Sequence, residues 1–282
     1  DAFIRHLTAP AASRPHADAG AALAAVLDTV QRSTTIHLLL DYDGTLVPFA
    51  EVPELAVPDA ELLQLVSTLA DCPNVEVHLV SGRPRAWLEE WFGALPVVLW
   101  AEHGFWHRDG PDAPWHAAAP APVAWMCRIL PILEQFTAST PGARIERKDA
   151  CIAWHYRQAD PEFGARQAHE LRMLLGDALS NQPLEVLEGK KVIEIRLRGV
   201  TKASVAHRMH FDGDAIIAIG DDQTDEDLFN ALPASAITVA AGAAPTAAHY
   251  RVADYRALRE LLWALALARH FITEDSIAGP VH

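Results

Sequence analysis

Two carboxylates stand two residues apart, at Asp41 and Asp43, directly after the apolar run Thr35-Ile36-His37-Leu38-Leu39-Leu40 and just before Gly44 and Thr45. One carboxylate in that place can attack a phosphoryl centre, and its neighbour can hand a proton to the leaving group and take one from water. A second acidic group, Asp221, Asp222 and Asp225, follows the apolar run Ala215-Ile216-Ile217-Ala218-Ile219. Crowded carboxylates repel unless a cation sits among them, and hard oxygen donors with room for water suit Mg²⁺. That ion would also neutralise a phosphoryl oxygen. Ser81, Gly82 and Arg83 follow the strand pattern Val75-Glu76-Val77-His78-Leu79-Val80, and a hydroxyl with neighbouring backbone N–H groups can hold phosphate oxygens. Lys202 opens a helical pattern and could steady both a carboxylate and a phosphate. Each feature also has a plainer reading: an Asp-Gly turn, a surface lysine, an acidic first turn of a helix. Their common position is what argues for a site.

That position is the end of a buried strand. Strand patterns at 35–40, 75–80, 97–101, 215–219 and 237–240 alternate with helical patterns near 19–32, 59–70, 84–92, 201–209, 225–232 and 255–270. Such alternation predicts an α/β fold, a doubly wound parallel sheet of the Rossmann type, with ligands outside the carboxyl ends of the strands. The pattern breaks in the middle. Residues 108–122 read as a Pro/Ala/Asp/Gly linker, then come a helix at 123–138, a half-exposed strand at 150–157, a helix at 161–178 and a second half-exposed strand at 191–198. In that last strand Val192, Glu194, Arg196 and Arg198 share one face and Lys191, Ile193, Ile195 and Leu197 the other. The polar face is either solvated or a sugar-binding surface, since paired Glu and Lys supply the acceptors and donors that hydroxyls need. The expected organisation is an N-terminal tail and helix (1–34), a core (35–108 and 199–272), an inserted α+β cap (109–198) and a C-terminal tail (273–282).

The charge sum is −14 over 282 residues. A strongly acidic protein repels nucleic acid and anionic membranes, so neither is expected as a partner. Arg83, Lys148, Lys190, Lys191 and Lys202 could still make a local positive cleft. Cys72, Cys127 and Cys151 are too scattered for a disulfide framework or a zinc site, which suggests a reducing, cytoplasmic setting. No apolar run approaches the ~18 residues that span a bilayer, and residues 1–20 lack a signal-peptide pattern. The chain starts without Met, which leaves room for residues upstream. His103 and His107 lack a third partner at zinc-site spacing. His155 reads as either a sugar contact or a structural residue, and Trp87, Trp91 and Trp263 read as packing residues.

Taken in order, Asp41-Tyr42-Asp43-Gly44-Thr45-Leu46, Ser81-Gly82-Arg83, Lys202 and Gly220-Asp221-Asp222 resemble the four motifs of the haloacid dehalogenase-like phosphatase superfamily, over about residues 36–270. More narrowly, 40–48, Ala101-Glu102-His103-Gly104, Glu146-Arg147-Lys148, His155-Tyr156-Arg157, 189–196 and 220–227 are similar to trehalose-6-phosphate phosphatases. The resemblance implies an aspartyl-phosphate mechanism. Asp41 would be the nucleophile and a Mg²⁺ ligand. Asp43 would be the general acid and base, giving the ion its carbonyl, and Asp221 would be the remaining ligand, supported by Asp222 and Asp225. Ser81 and Lys202 would hold the phosphate, with Gly82, Arg83 and His103 beside the substrate. Glu146, Lys148 and Glu194 would grip the sugar, trehalose 6-phosphate. Ala203 stands where that superfamily usually has Gly. Sucrose 6-phosphate, a mannosyl phosphate, or a non-catalytic sugar-phosphate-binding module are the alternatives.

Overall fold

Ile36–Leu40 becomes a strand in which every residue is buried. Complete burial of Leu38, Leu39 and Leu40 contributes roughly 1.5–3 kcal/mol each, so this strand takes the middle of its sheet. The computed structural model describes residues 18–50, 53–119, 123–189 and 191–277. The expected N-terminal tail, Lys190 and residues 278–282 lie outside the described residues. In chain order the first strands are β1 (Ile36–Leu40), β2 (Val75–Val80), β3 (Val98–Ala101), β4 (Trp106–Asp109), β5 (His116–Ala117) and β6 (Arg144–Arg147). They are followed by β7 (Cys151–His155), β8 (Leu184–Gly189), β9 (Val192–Leu197), β10 (Ala215–Gly220), β11 (Ile237–Ala241) and β12 (Tyr250–Val252). The helices are α1 (Ala19–Arg32), α2 (Ala60–Ala70), α3 (Arg85–Phe92), α4 (Val123–Ser139), α5 (Pro161–Ala178), α6 (Lys202–Arg208), α7 (Gln223–Ala231) and α8 (Tyr255–Ile277).

The larger sheet has the order β12-β11-β10-β1-β2-β3-β4-β5. Strands β12 to β3 run parallel, whereas β4 and β5 add antiparallel. One face packs Leu38, Leu40 and Ile217 with residues of α1, α2 and α8. The other packs Leu39, Val80 and Ala218 with residues of α6 and α7. The antiparallel edge corrects the reading of 108–122 as a linker. Trp106 and Trp115 pack against the core, and the Arg108 guanidinium donates to the carbonyls of Ala113 (3.1 Å) and Pro111. The Pro/Gly-rich stretch is therefore largely the loop of a hairpin.

The second sheet is antiparallel, with the order β6-β7-β9-β8. Ile152, Trp154, Ile193 and Ile195 pack under α4 and α5. The sequence reading had β7 and β9 but not β6 or β8. It also expected β7 to be half exposed, yet Cys151 to Trp154 are all buried. Alternation separates two faces but cannot say whether the polar one meets water or another part of the chain. Here Cys151 and Ala153 share the face of Glu146 and Glu194, which is turned to the larger sheet's domain. Phe105, Ala150 and Val200 pack together where the two parts join. Helix α8 continues to Ile277, past the loose tail expected from Thr273. Extending an established, packed helix costs far less than nucleating one.

Candidate active site

The β1–β10 ladder reaches one residue beyond β1, because the Asp41 N–H donates to the Ile219 carbonyl (3.0 Å). Alternation then turns Asp41 and Asp43 into one cleft and Tyr42 into the core. Asp41 is buried. Its Oδ1 accepts from Lys202 Nζ at 2.5 Å and its Oδ2 from Thr45 Oγ1 at 2.9 Å. Burial pushes the Asp41 carboxyl up and Lys202 partly offsets this. Burial works against the Lys202 charge, but Asp225 and Asp41 outweigh it and raise the ammonium. Lys202 is the first residue of α6, which carries it in from 161 residues away.

The Gly220-Asp221-Asp222 turn is held by a capping box. Asp222 Oδ1 accepts from the N–H groups of Thr224 (2.8 Å) and Asp225 (3.2 Å), while Asp225 Oδ2 accepts from Asp222 N–H (3.2 Å). The plain reading of an acidic first turn is thus correct, and the turn also builds the site. Asp41, Asp221 and Asp225 bring carboxylate oxygens within 4.8 Å of one another. Asp225 has already committed Oδ1 to Lys202 (2.7 Å) and Oδ2 to two backbone N–H groups, so it positions the others. Thr45 Oγ1 lies 2.9 Å from Asp41 and 3.0 Å from Asp221, but its one proton serves only one of them at a time. Burial, with Asp41 and Asp222 nearby, pushes Asp221 up to about 8. Burial also pushes Asp222 up, but Lys202 and Thr224 outweigh it and hold the carboxyl at about 2. One lysine among these acids leaves a deficit of positive charge, and the donors facing it are oxygens, a set that fits a hard divalent cation. Gly44 makes the approach possible: its φ is +82°, and a Cβ there would stand 2.1 Å from Asp221 Oδ2.

Ser81 is fully buried at the end of β2, its Oγ accepting from Arg83 N–H at 3.1 Å. Arg83 was expected beside the substrate. It lines the cleft, but its guanidinium grips both oxygens of Asp43, with Nε at 2.7 Å from Oδ2, and lies 4.8 Å over the Trp87 ring. Gly82 lies so close to His103 that a Cβ would be 2.6 Å from the imidazole Cε1. His103 has a φ of +58°. Burial lowers it to about 4, and its Nδ1 has no hydrogen-bond partner among the described residues.

The cap closes the cleft from the other side. Lys148 Nζ donates to the Gly82 carbonyl (3.0 Å) and lies 3.9 Å from Glu146. Glu146 Oε2 is paired with His155 Nε2 at 2.8 Å. Burial pushes Glu146 up, but His155 and Lys148 outweigh it and hold the carboxyl at about 2. Glu194 lies 3.7 Å from Arg196 and 4.0 Å from His103. Burial pushes it up, yet His103, Lys148 and Arg196 leave it below the usual range. The cleft, about 350 Å³, is lined by Asp41, Asp43, Lys202 and Asp222 from below and by Glu146, Lys148 and His155 from above.

Three contributors were not singled out from the sequence. Thr45 bridges two carboxylates. Arg196, on the polar face of β9, is buried between Glu185 (2.7 Å) and Glu194. Glu102 is buried with a φ of +50° and accepts the N–H groups of Asp149 (3.1 Å) and Ala150 (2.7 Å), pinning the turn beside Lys148. Its place between an apolar strand and a glycine was the available signal.

The trehalose-phosphatase family profile matches residues 39–256. Over 227 residues the chain is 45% identical to the bifunctional trehalose-6-phosphate synthase/phosphatase of Thermoproteus tenax, covering 80% of this chain and 31% of that one. It is 36% identical to the trehalose-phosphatase of Zygosaccharomyces rouxii, covering 79% and 26%. The chain thus spans about a third or less of these relatives' length. The solved C-terminal domain of the C. albicans trehalose-6-phosphate phosphatase superposes with a TM-score of 0.79 at 31% identity, covering 86% of this chain and 96% of that domain.

Proposed function

We propose that this chain, which belongs to the trehalose-phosphatase family, hydrolyses trehalose 6-phosphate to trehalose and inorganic phosphate, a step of trehalose biosynthesis. What carries this reading is one cleft whose floor holds Asp41 against Lys202 and whose roof holds Glu146 and Lys148. A phosphate on the floor leaves its sugar against the roof.

In this reading an Asp41 oxygen bonds to phosphorus as the phosphorus–sugar oxygen bond breaks. Asp43, carrying a proton, gives it to the departing oxygen. Water then attacks the aspartyl phosphate, Asp43 takes its proton, and the Asp41 carboxylate leaves with the release of phosphate. Lys202 orients Asp41 and balances its charge. Ser81 offers its hydroxyl proton to a phosphate oxygen, beside the Gly82 backbone. Arg83 holds Asp43 until phosphate enters, and Asp43 acts as an acid once that pair loosens. Mg²⁺, held by the Asp41 and Asp221 carboxylates and the Asp43 carbonyl, would supply charge neutralisation to the phosphoryl group. Asp222 and Asp225 keep those ligands in place. Glu146, Lys148 and Glu194 take the sugar hydroxyls, with neutral His103 offering a ring nitrogen. No helix among the described residues is long and apolar enough to cross a membrane. Three free cysteines support a cytoplasmic, reducing place of work, and the acidic surface disfavours nucleic acid and anionic membranes as partners.

The test is phosphate release in Mg²⁺ from trehalose 6-phosphate, sucrose 6-phosphate, a mannosyl phosphate and p-nitrophenyl phosphate. Highest kcat/KM on trehalose 6-phosphate supports the assignment. Preference for another sugar reassigns the substrate, and tight binding without turnover makes the chain a sugar-phosphate-binding module.

A further inference from the structure

At the opposite end of β1 from Asp41, about 13 Å away along the strand, two imidazoles and a carboxylate converge. His37 and Glu76 are register partners on the parallel strands β1 and β2, and His78 lies two residues further along β2. All three side chains therefore leave the same face. His37 Nδ1 is 2.8 Å from Glu76 Oε2, and His78 Nε2 is 3.4 Å from that same oxygen. The two ring nitrogens are 3.4 Å apart.

We propose that His37 Nδ1, His78 Nε2 and Glu76 Oε2 form a second metal site, separate from the aspartate cluster, that takes zinc or a similar borderline divalent ion and braces β1 against β2. Zinc bonds of about 2.0–2.2 Å in tetrahedral geometry hold donors about 3.4 Å apart. Two of the three edges already have that length. The third opens by moving Glu76, whose side chain is 49% exposed. Two imidazoles and one carboxylate are an open zinc set, with the fourth position left for water. Mg²⁺ prefers six oxygens and fits poorly.

The surroundings orient the ligands. His37 Nε2 lies 3.3 Å from Asp214 Oδ2, the carboxylate–imidazole pairing that fixes the proton on the outer nitrogen and leaves Nδ1 to bind. Phe211 covers the His37 ring at 5.5 Å. Ligand imidazoles must be unprotonated, so protons compete with the ion and binding is measured above the usual imidazole range. Trp100 Nε1 donates to His78 Nδ1 at 3.3 Å. Without metal, His78 therefore carries its proton on Nε2, facing Glu76. Metal on Nε2 moves that proton to Nδ1, where it faces the Trp100 N–H, so metal binding requires the indole to shift and that shift is an optical reporter.

The experiment strips the full chain with a chelator, fills the aspartate cluster with excess Mg²⁺ and titrates Zn²⁺ by calorimetry and indole fluorescence, then Co²⁺ by visible absorption. Expected are one equivalent of zinc, a four-coordinate cobalt spectrum and a higher unfolding temperature. Glu76→Gln, at a half-exposed position that tolerates it, should bind zinc at least tenfold more weakly with Mg²⁺-dependent turnover unchanged. Zinc affinity equal in wild type and Glu76→Gln would overturn the assignment. So would the absence of zinc binding under excess Mg²⁺, which would leave a hydrogen-bonded charge cluster.

Discussion

On the core side of the cleft, Asp41, Asp221, Asp222 and Asp225 gather around the single Lys202. On the cap side, Glu146 and Glu194 face Lys148, His155 and Arg196. The two surfaces solve different charge problems. The core is left short of positive charge, and Asp221 is pushed up to about 8 in response. The cap is matched from within, and Glu146 is held at about 2. In the proposed function the unbalanced cluster takes a cation and a phosphoryl group, whatever ester bears them. The balanced one would change partners: its hydrogen bonds would pass from one another to a ligand's hydroxyls, and only a sugar with hydroxyls in the right places would make up for those given away. That reading puts chemistry and selectivity on opposite walls.

Breaking the core wall should abolish activity on every substrate. Asp41→Asn removes the proposed nucleophile while keeping the shape, and turnover should fall on the order of 10⁴-fold or more on trehalose 6-phosphate and p-nitrophenyl phosphate alike. Steady-state kinetics with circular dichroism as a fold control measures this. Wild-type-like turnover would remove the covalent mechanism.

A smaller effect should come from loosening the cation end. Asp221→Ala takes away a charged donor. Gly44→Ala brings a methyl to 2.1 Å from Asp221 Oδ2 in a left-handed conformation, itself worth about 1–2 kcal/mol of strain. Both should raise the Mg²⁺ concentration for half-maximal rate about tenfold or more, read from activity against free Mg²⁺ after chelation. Activity independent of metal in the wild type would contradict the account.

The smallest effect belongs to the cap's internal pairing. Glu146 is lowered from 4.5 to about 2 by His155 and Lys148, against the effect of burial. A carboxyl lowered in the folded state stabilises it fully above its unfolded pKa and loses that contribution as pH falls through the folded one. The loss therefore runs from pH 4.5 down to about 2. Glu146→Gln should flatten the fall in unfolding temperature over that window, and equal slopes would mean that the pair is not coupled to folding.

How much of this was legible beforehand differs between the same two walls. Asp41, Ser81 and Asp221 each follow a short run rich in apolar residues, broken only by His37 in β1 and by Glu76 and His78 in β2, and a buried parallel strand is such a run, so fold and site announced each other. In the cap, β6 is four residues, Arg144–Arg147, with none of them buried, and β8 ends in exposed Glu188 and Gly189. Neither carries enough apolar pattern to be recognised. The polar face of β9 was visible, but nothing in Glu194 or Arg196 said that His103 of the larger sheet's domain and the carboxylate of Glu185, rather than water, would meet them. The pairing of Arg83 with Asp43 joins residues 40 apart, a distance that no local pattern spans. Likewise, the loop between β4 and β5 is pinned by the Arg108 guanidinium and by Trp115 against the core, contacts that its Pro/Gly composition does not announce.

The division of labour is tested most directly by Glu194→Ala and Lys148→Ala, each assayed on trehalose 6-phosphate and on p-nitrophenyl phosphate. Losing a hydrogen bond to a sugar hydroxyl costs about 1–3 kcal/mol, roughly 5- to 150-fold. The account predicts that loss in kcat/KM on trehalose 6-phosphate, with little change on the small ester. An equal fall on both substrates, or none on either, would contradict it.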